Sequence, residues 1–246
     1  VTRRRIRLAG LTALALLVVG VAGFLGWASS PMPPEAAPLA AARSDTSFTL
    51  GESADGVVLT PARPNGTGLV YLAGARVDPA AYADKLSGIA EAGVTVVIAR
   101  PTLNFAIFEL RPLATFEGLA AGSGVTSWYV GGHSLGGVRA CQYAADAPTG
   151  TIAGVILFGS YCAADLSSSD LPVLTLSATR DGLSTPAKIE AAAHLLPSGA
   201  QLVALPGADH AQFGDYGVQP GDNPATASNA QAKQQITTAV LAFLRR

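Results

Sequence analysis

Apolar positions in this chain fall into short runs separated by polar, Gly- and Pro-rich stretches. Residues 57–59, 69–72, 94–99, 126–130, 152–158, 173–177 and 201–205 are rich in Val, Ile, Leu and aromatic side chains and read as strands. The run Val-Thr-Val-Val-Ile-Ala at 94–99 suits a parallel strand covered on both faces. Between these runs the pattern changes to helical spacing at 79–92, 106–121 (interrupted near Pro112), 135–147, 186–196 and 230–244. Asp78 followed by Pro79 is a helix start: a side-chain cap, then a fixed φ at the first helical position. Alternating strands and helices with no internal repeat predict an α/β domain over 48–246, with a mostly parallel sheet and helices on both faces.

The pattern before residue 48 is different. Arg3, Arg4, Arg5 and Arg7 precede an uncharged run from Leu8 to Ser30 that is almost wholly apolar up to Trp27. Twenty such residues make a helix of about 30 Å, the thickness of a bilayer's hydrocarbon core. A cleaved signal peptide has a shorter apolar core and a small-residue cleavage site. Here the run is longer, and no Ala-x-Ala site precedes Pro31. The expectation is an uncleaved signal anchor over 1–30, with the arginines cytoplasmic and the rest of the chain outside; cleavage would make the protein secreted. The Pro- and Ala-rich stretch that follows reads as an extended linker, 31–47.

Composition adds limits. The 246 residues are enough for one sizeable core, and charged residues are only 13 %. Taking the four arginines from the formal −1 leaves −5 for the remainder, with no basic stripe for nucleic acid. Two cysteines, Cys141 and Cys162, are too few for a disulfide scaffold or a zinc site. Outside the cytoplasm they could pair, which the sequence leaves open.

The candidate chemistry is concentrated at Gly131-Gly132-His133-Ser134-Leu135-Gly136-Gly137. Ser134 stands where a strand turns abruptly into a helix. Gly132 and Gly136, two before and two after it, let strand and helix approach. Such an elbow pushes the hydroxyl out over the sheet edge at a helix N-terminus, as a nucleophile requires.

A serine nucleophile needs a base, and the base needs a carboxylate. Of three histidines, His133 lies inside the elbow and reads as a packing residue, and His194 lies within a helical stretch. His210 follows the last strand, where sites of open α/β sheets gather, and is the expected base. Asp181, just past strand 173–177, is the expected acid; Asp165, Asp209 and Asp215 are rivals. Leu135 N–H at the helix start is one expected oxyanion donor. Ala75 N–H, in the loop Ala73-Gly74-Ala75-Arg76-Val77-Asp78, is the other, with Arg76 as the alternative.

With these residues in place the chain resembles the α/β-hydrolase superfamily from about Phe48 to its end. More narrowly it is similar to the dienelactone-hydrolase-like "alpha/beta hydrolase fold-5" proteins. The resemblance rests on residues 71–79, 101–105, 132–137, 180–183 and 209–217. It implies an α/β-hydrolase fold with a Ser-Asp-His triad. Relatives often carry His-Gly or Pro-Gly where this chain has Ala73-Gly74.

The expected activity is carboxylic-ester hydrolysis through an acyl-enzyme on Ser134, with no metal or organic cofactor. The alternative is transfer of the acyl group to a cell-envelope acceptor. Leu103, Phe105, Tyr161, Leu183, Phe213 and Tyr216 are candidates for the pocket wall. The interval 159–172, where a lid would be inserted, is short and Ser-rich. It predicts a minimal lid and small, short-chain acyl substrates, with no interfacial activation.

Overall fold

The computed structural model describes residues 2–245; Val1 and Arg246 lie outside the described residues. Eight strands form one sheet: β1 (Phe48–Ser53), β2 (Gly56–Pro61), β3 (Thr67–Leu72), β4 (Thr95–Ala99), β5 (Ser127–His133), β6 (Gly154–Phe158), β7 (Val173–Ala178) and β8 (Gln201–Leu205). Their order is β1-β2-β4-β3-β5-β6-β7-β8. Strands β3 to β8 run parallel, and β2 is antiparallel to both β1 and β4. The expected mostly parallel sheet is present. Strand β1 was not foreseen: its Phe-Thr-Leu-Gly-Glu-Ser run is largely exposed and has too few apolar positions to show a strand period.

Strands β4, β6 and β7 are buried along their whole length, which is why they read as unbroken apolar runs. Alternate side chains feed two separate cores. Leu69 and Tyr71 join Leu86, Ile89, Ile236 and Val240 on one face. Val70 and Leu72 join Phe116, Ala140, Tyr143 and Leu157 on the other.

The helices are α1 (Thr2–Ala28), α2 (Ala36–Ser44), α3 (Ala83–Glu91), α4 (Leu113–Glu117), α5 (Leu135–Asp146), α6 (Pro186–Ala191) and α7 (Asn229–Leu244). The Asp78 side chain accepts from Ala80 N–H at 2.9 Å, as its capping role requires. One expected helix, 106–121, breaks into two single 3-10 turns and the five-residue α4, because Pro112 cannot continue a helix. The stretch 159–172 holds no helix or strand, so β6 and β7 are joined without a lid.

Residues 31–47, expected to be an extended linker, are folded onto the domain. Met32 bridges Val77, Glu35 N–H donates to Asp215 O at 2.7 Å, and the alanines form α2, which buries Ala42 in the core. Cys141 of α5 and Cys162 beyond β6 form a disulfide, closing the question that the sequence left open.

Candidate active site

Strand order sets the position of the site. The chain passes from β3 to β4 on one side, then crosses back to β5 on the other, so a crevice opens beyond the ends of β3 and β5. Register makes this specific: Leu72 pairs with Gly132, so the loop from Ala73 and the elbow at Ser134 leave the sheet side by side.

Ser134 has φ 52° and ψ −123°, a backbone that L residues rarely adopt. Its N–H donates to Phe158 O at 3.1 Å, and its carbonyl accepts from Ser160 Oγ at 2.6 Å. A Cβ on Gly136 would collide with the Leu72 carbonyl, so only glycine lets α5 begin this close to β3.

His210 and Asp181 are both buried, and Nδ1 lies 2.7 Å from Oδ2. The other carboxylate oxygen, Oδ1, accepts from Leu183 N–H at 2.8 Å and Ser184 N–H at 2.7 Å. The carboxylate is thus fixed at both ends. A neutral imidazole that donates Nδ1–H to this carboxylate presents its lone pair at Nε2, and Nε2 has no hydrogen-bond partner among the described residues.

The rival acids are engaged elsewhere. Asp165 accepts from Ser167 N–H at the surface, and Asp209 accepts from Gln212 N–H. Burial pushes the Asp209 carboxyl up. Asp215 is buried with Lys85, whose Nζ lies 2.9 Å from Oδ1. Burial pushes the Asp215 carboxyl up despite the opposite pull of Lys85. Lys85→Ala would strand that charge, so unfolding free energy should fall by about 3–5 kcal/mol in a denaturant titration. The double change Lys85→Met with Asp215→Leu should recover most of it.

His133 does more than pack. Its Nδ1 lies 3.0 Å from Tyr82 Oη, which also accepts from Gly74 N–H at 2.9 Å. Its ring centroid is 4.3 Å from that of His210. Burial, with His210 beside it, holds His133 well below the usual imidazole range, so it stays neutral next to His210. His194 is exposed at a helix end and bonds only Ala191 O.

Leu135 and Ala75 N–H groups donate to no described residue, whereas Arg76 N–H is taken by Asn104 O at 2.7 Å. Asp222 was missed by sequence reasoning. Its Oδ1 accepts from Gly182 N–H at 2.8 Å and its Oδ2 from Ala211 N–H at 3.0 Å, tying the Asp181 loop to the His210 loop. Nothing local marks it within its Gly- and Asp-rich loop.

The expected pocket wall needs correction. Phe213 and Tyr216 are buried beneath the site, their rings tilted against His133 at 5.6 and 6.2 Å between centroids. Phe105 faces Trp27 of α1 at 5.4 Å. Leu103, Tyr161 and Leu183 remain partly exposed. A cavity of about 500 Å³ borders the His210 loop, lined by Asp209, Ala211 and Asp222, and one of about 530 Å³ lies beyond the end of α5; neither is lined by Ser134 or His210.

The sequence profile of the alpha/beta hydrolase family matches residues 68–235, from β3 into α7. The chain belongs to the alpha/beta hydrolase family. Its membership makes it a hydrolase, and the matched span holds the elbow and the His210 loop. No curated protein matches the chain in sequence. Solved structures share the fold at low identity. A CIB-like hydrolase of Thermoplasma acidophilum is 13 % identical with a TM-score of 0.59, covering 80 % of this chain and 99 % of its own. A thermophilic esterase of Thermogutta terrifontis with butyrate bound is 16 % identical at 0.55, covering 81 % and 94 %. Est1E of Butyrivibrio proteoclasticus with ferulic acid bound is 13 % identical at 0.56, covering 82 % and 98 %.

Proposed function

We propose that this family member is a carboxylic-ester hydrolase acting through an acyl-enzyme on Ser134. The observation that carries the reading is His210, held by Asp181 at 2.7 Å with Nε2 unpartnered. Nε2 takes the Ser134 proton as Oγ attacks the acyl carbonyl, and returns it to the departing alcohol. Asp181 keeps the tautomer and stabilises the imidazolium. Leu135 and Ala75 N–H groups hold the oxyanion; each lacks another acceptor, and their strand ends are adjacent. Water activated by His210 then releases the acid. None of these steps uses a metal or an organic cofactor.

Small or short-chain acyl groups suit a site with no lid between β6 and β7. Butyrate bound in the Thermogutta esterase agrees with that. Leu103, Tyr161 and Leu183 are left as the wall. The helix α1 is long and apolar enough to cross a membrane. It anchors the domain, and the Arg cluster places the domain outside the cytoplasm. The Cys141–Cys162 disulfide fits an oxidising compartment.

A p-nitrophenyl ester series tests the substrate reading. Each methylene left in water forgoes about 0.8 kcal/mol of burial, so kcat/KM should stop rising at short chains. A kcat/KM still climbing beyond medium chains would contradict it, and ester product in place of acid when an alcohol is supplied would point to acyl transfer.

A further inference from the structure

The end of α1 is built into the catalytic face. Arg76 Nε donates to Trp27 O at 3.1 Å and its Nη2 to Ser30 O at 2.7 Å. Asn104 Nδ2 donates to Ala28 O at 2.8 Å. The guanidinium lies 4.1 Å over the Trp27 ring. The Ala28 carbonyl, which the helix end leaves orphaned, is thereby satisfied by the loop after β4, and the Trp27 carbonyl, which also accepts from Ser30 N–H at 3.2 Å, gains a second donor from the loop after β3. Arg76 follows the proposed oxyanion donor Ala75 directly. Among the described residues the non-glycine residues with positive φ are Arg76, Leu103, Asn104 and Ser134: three at this joint and the fourth the elbow serine.

The loop after β4 turns its apolar side chains outward here. Outside α1, the large hydrophobics exposed among the described residues are Ile107, Phe108, Leu110, Leu202 and Val218, and the first three lie within four positions. Ile107 is 57 % exposed, Phe108 41 % and Leu110 85 %. Glu109 between them is fully buried. It accepts from Thr102 N–H and Oγ1 and from Arg111 N–H, Nε and Nη2. The one charge in this stretch is therefore held inside, and the outward surface is hydrocarbon. Phe108 packs edge-on to Phe24 at 6.1 Å, and Phe105 stacks on it at 6.3 Å. Phe24 lies one helical turn before Ala28, about 6 Å back along the axis. A loop touching Phe24 stands beside the apolar helix itself, at the depth where aromatic belts sit.

We propose that the catalytic face rests on the outer surface of the bilayer, with Ile107, Phe108 and Leu110 in the headgroup–acyl boundary. The substrate is then a short acyl ester of an amphiphilic alcohol lying in the same leaflet. This rests on the esterase reading and on α1 crossing the membrane. The occupant of the patch is lipid because the patch continues the surface of a helix whose length and composition match a bilayer.

The test uses the full chain in phosphatidylcholine–phosphatidylglycerol vesicles. The paired Cys141 and Cys162 leave no free thiol among the described residues, so single cysteines can carry an environment-sensitive dye. Val21→Cys, Leu110→Cys and Thr149→Cys report the helix, the patch and the opposite end of α5. Brominated lipids should quench the dye at 21 and 110 and not at 149. Quenching at 21 without quenching at 110 would overturn the proposal while leaving the anchor standing. Quenching at neither would remove the anchor and the proposal with it.

Turnover gives the second readout. The double change Ile107→Ser with Leu110→Ser should leave hydrolysis of dissolved p-nitrophenyl butyrate unchanged. It should slow a butyryl ester of a long-chain alcohol in the vesicles about fivefold or more. An equal fall on both would mean that the loop serves the fold, against the proposal. If wild-type protein cleaves neither ester, the esterase reading fails, and the quenching pattern still decides where the face sits.

Discussion

Asp181→Asn is expected to lower kcat/KM on a short-chain ester by about 10⁴-fold, whereas Asp165→Asn should change it by less than about twofold. The size of the first effect comes from hydrogen-bond polarity. Oδ1 of Asp181 accepts two backbone N–H bonds, from Leu183 and Ser184. In Asp181→Asn the amide oxygen must keep that position, because an amide NH₂ cannot accept there. Its NH₂ group then faces His210 Nδ1, where Oδ2 now sits at 2.7 Å. The imidazole answers by presenting a lone pair at Nδ1 and a hydrogen at Nε2. A protonated Nε2 cannot take the Ser134 proton. The packing is nearly isosteric, so circular dichroism and the unfolding midpoint should stay close to wild type. Asp165 is exposed and bonds only its own turn, so its loss reaches nothing in the site. The reverse ranking would move the acid to the earlier strand end.

Ser134→Ala is expected to cost more, about 10⁶-fold in kcat, since removal of a triad nucleophile leaves only oxyanion stabilisation and binding. The change is nearly neutral for the fold in contacts. The hydrogen bonds recorded for Ser134 are all made by its backbone, to Phe158, Gly137, Val138 and Ser160. Alanine keeps every one. What alanine cannot relieve is the backbone at φ 52°, so strain is retained while the chemistry is removed. A loss of activity with unchanged stability separates a nucleophile from a structural turn.

The elbow was legible because its evidence is local: a β-branched and aromatic run, glycines two residues either side of a serine, then an Ala-rich helix. His210 and Asp181 were both chosen by position just past a strand end, and the structure brings the two side chains to 2.7 Å. The second oxyanion donor was not decidable from the loop alone. Arg76 is excluded as a donor by the carbonyl of Asn104, 28 positions away in the chain. The pocket wall was misread for a related reason. Aromatic residues near His210 are needed by the core as much as by a substrate, and Phe213 and Tyr216 went to the core. Residues 31–47 were misread because Pro and Ala content describes a free chain. Here Met32 and Glu35 find backbone partners on the domain, which lets the alanines close into α2. Asp222 shows the same limit: it joins two loops whose proximity exists only once the sheet has formed.

The central claim is that Ser134 is an activated nucleophile. Intact protein mass spectrometry after exposure to a fluorophosphonate, followed by peptide mapping, tests it most directly. One adduct per chain is expected, on the peptide that contains Ser134, and none on Ser134→Ala or on unfolded chain. Equal labelling of Ser134→Ala, or an adduct mapped to another serine, would contradict the account.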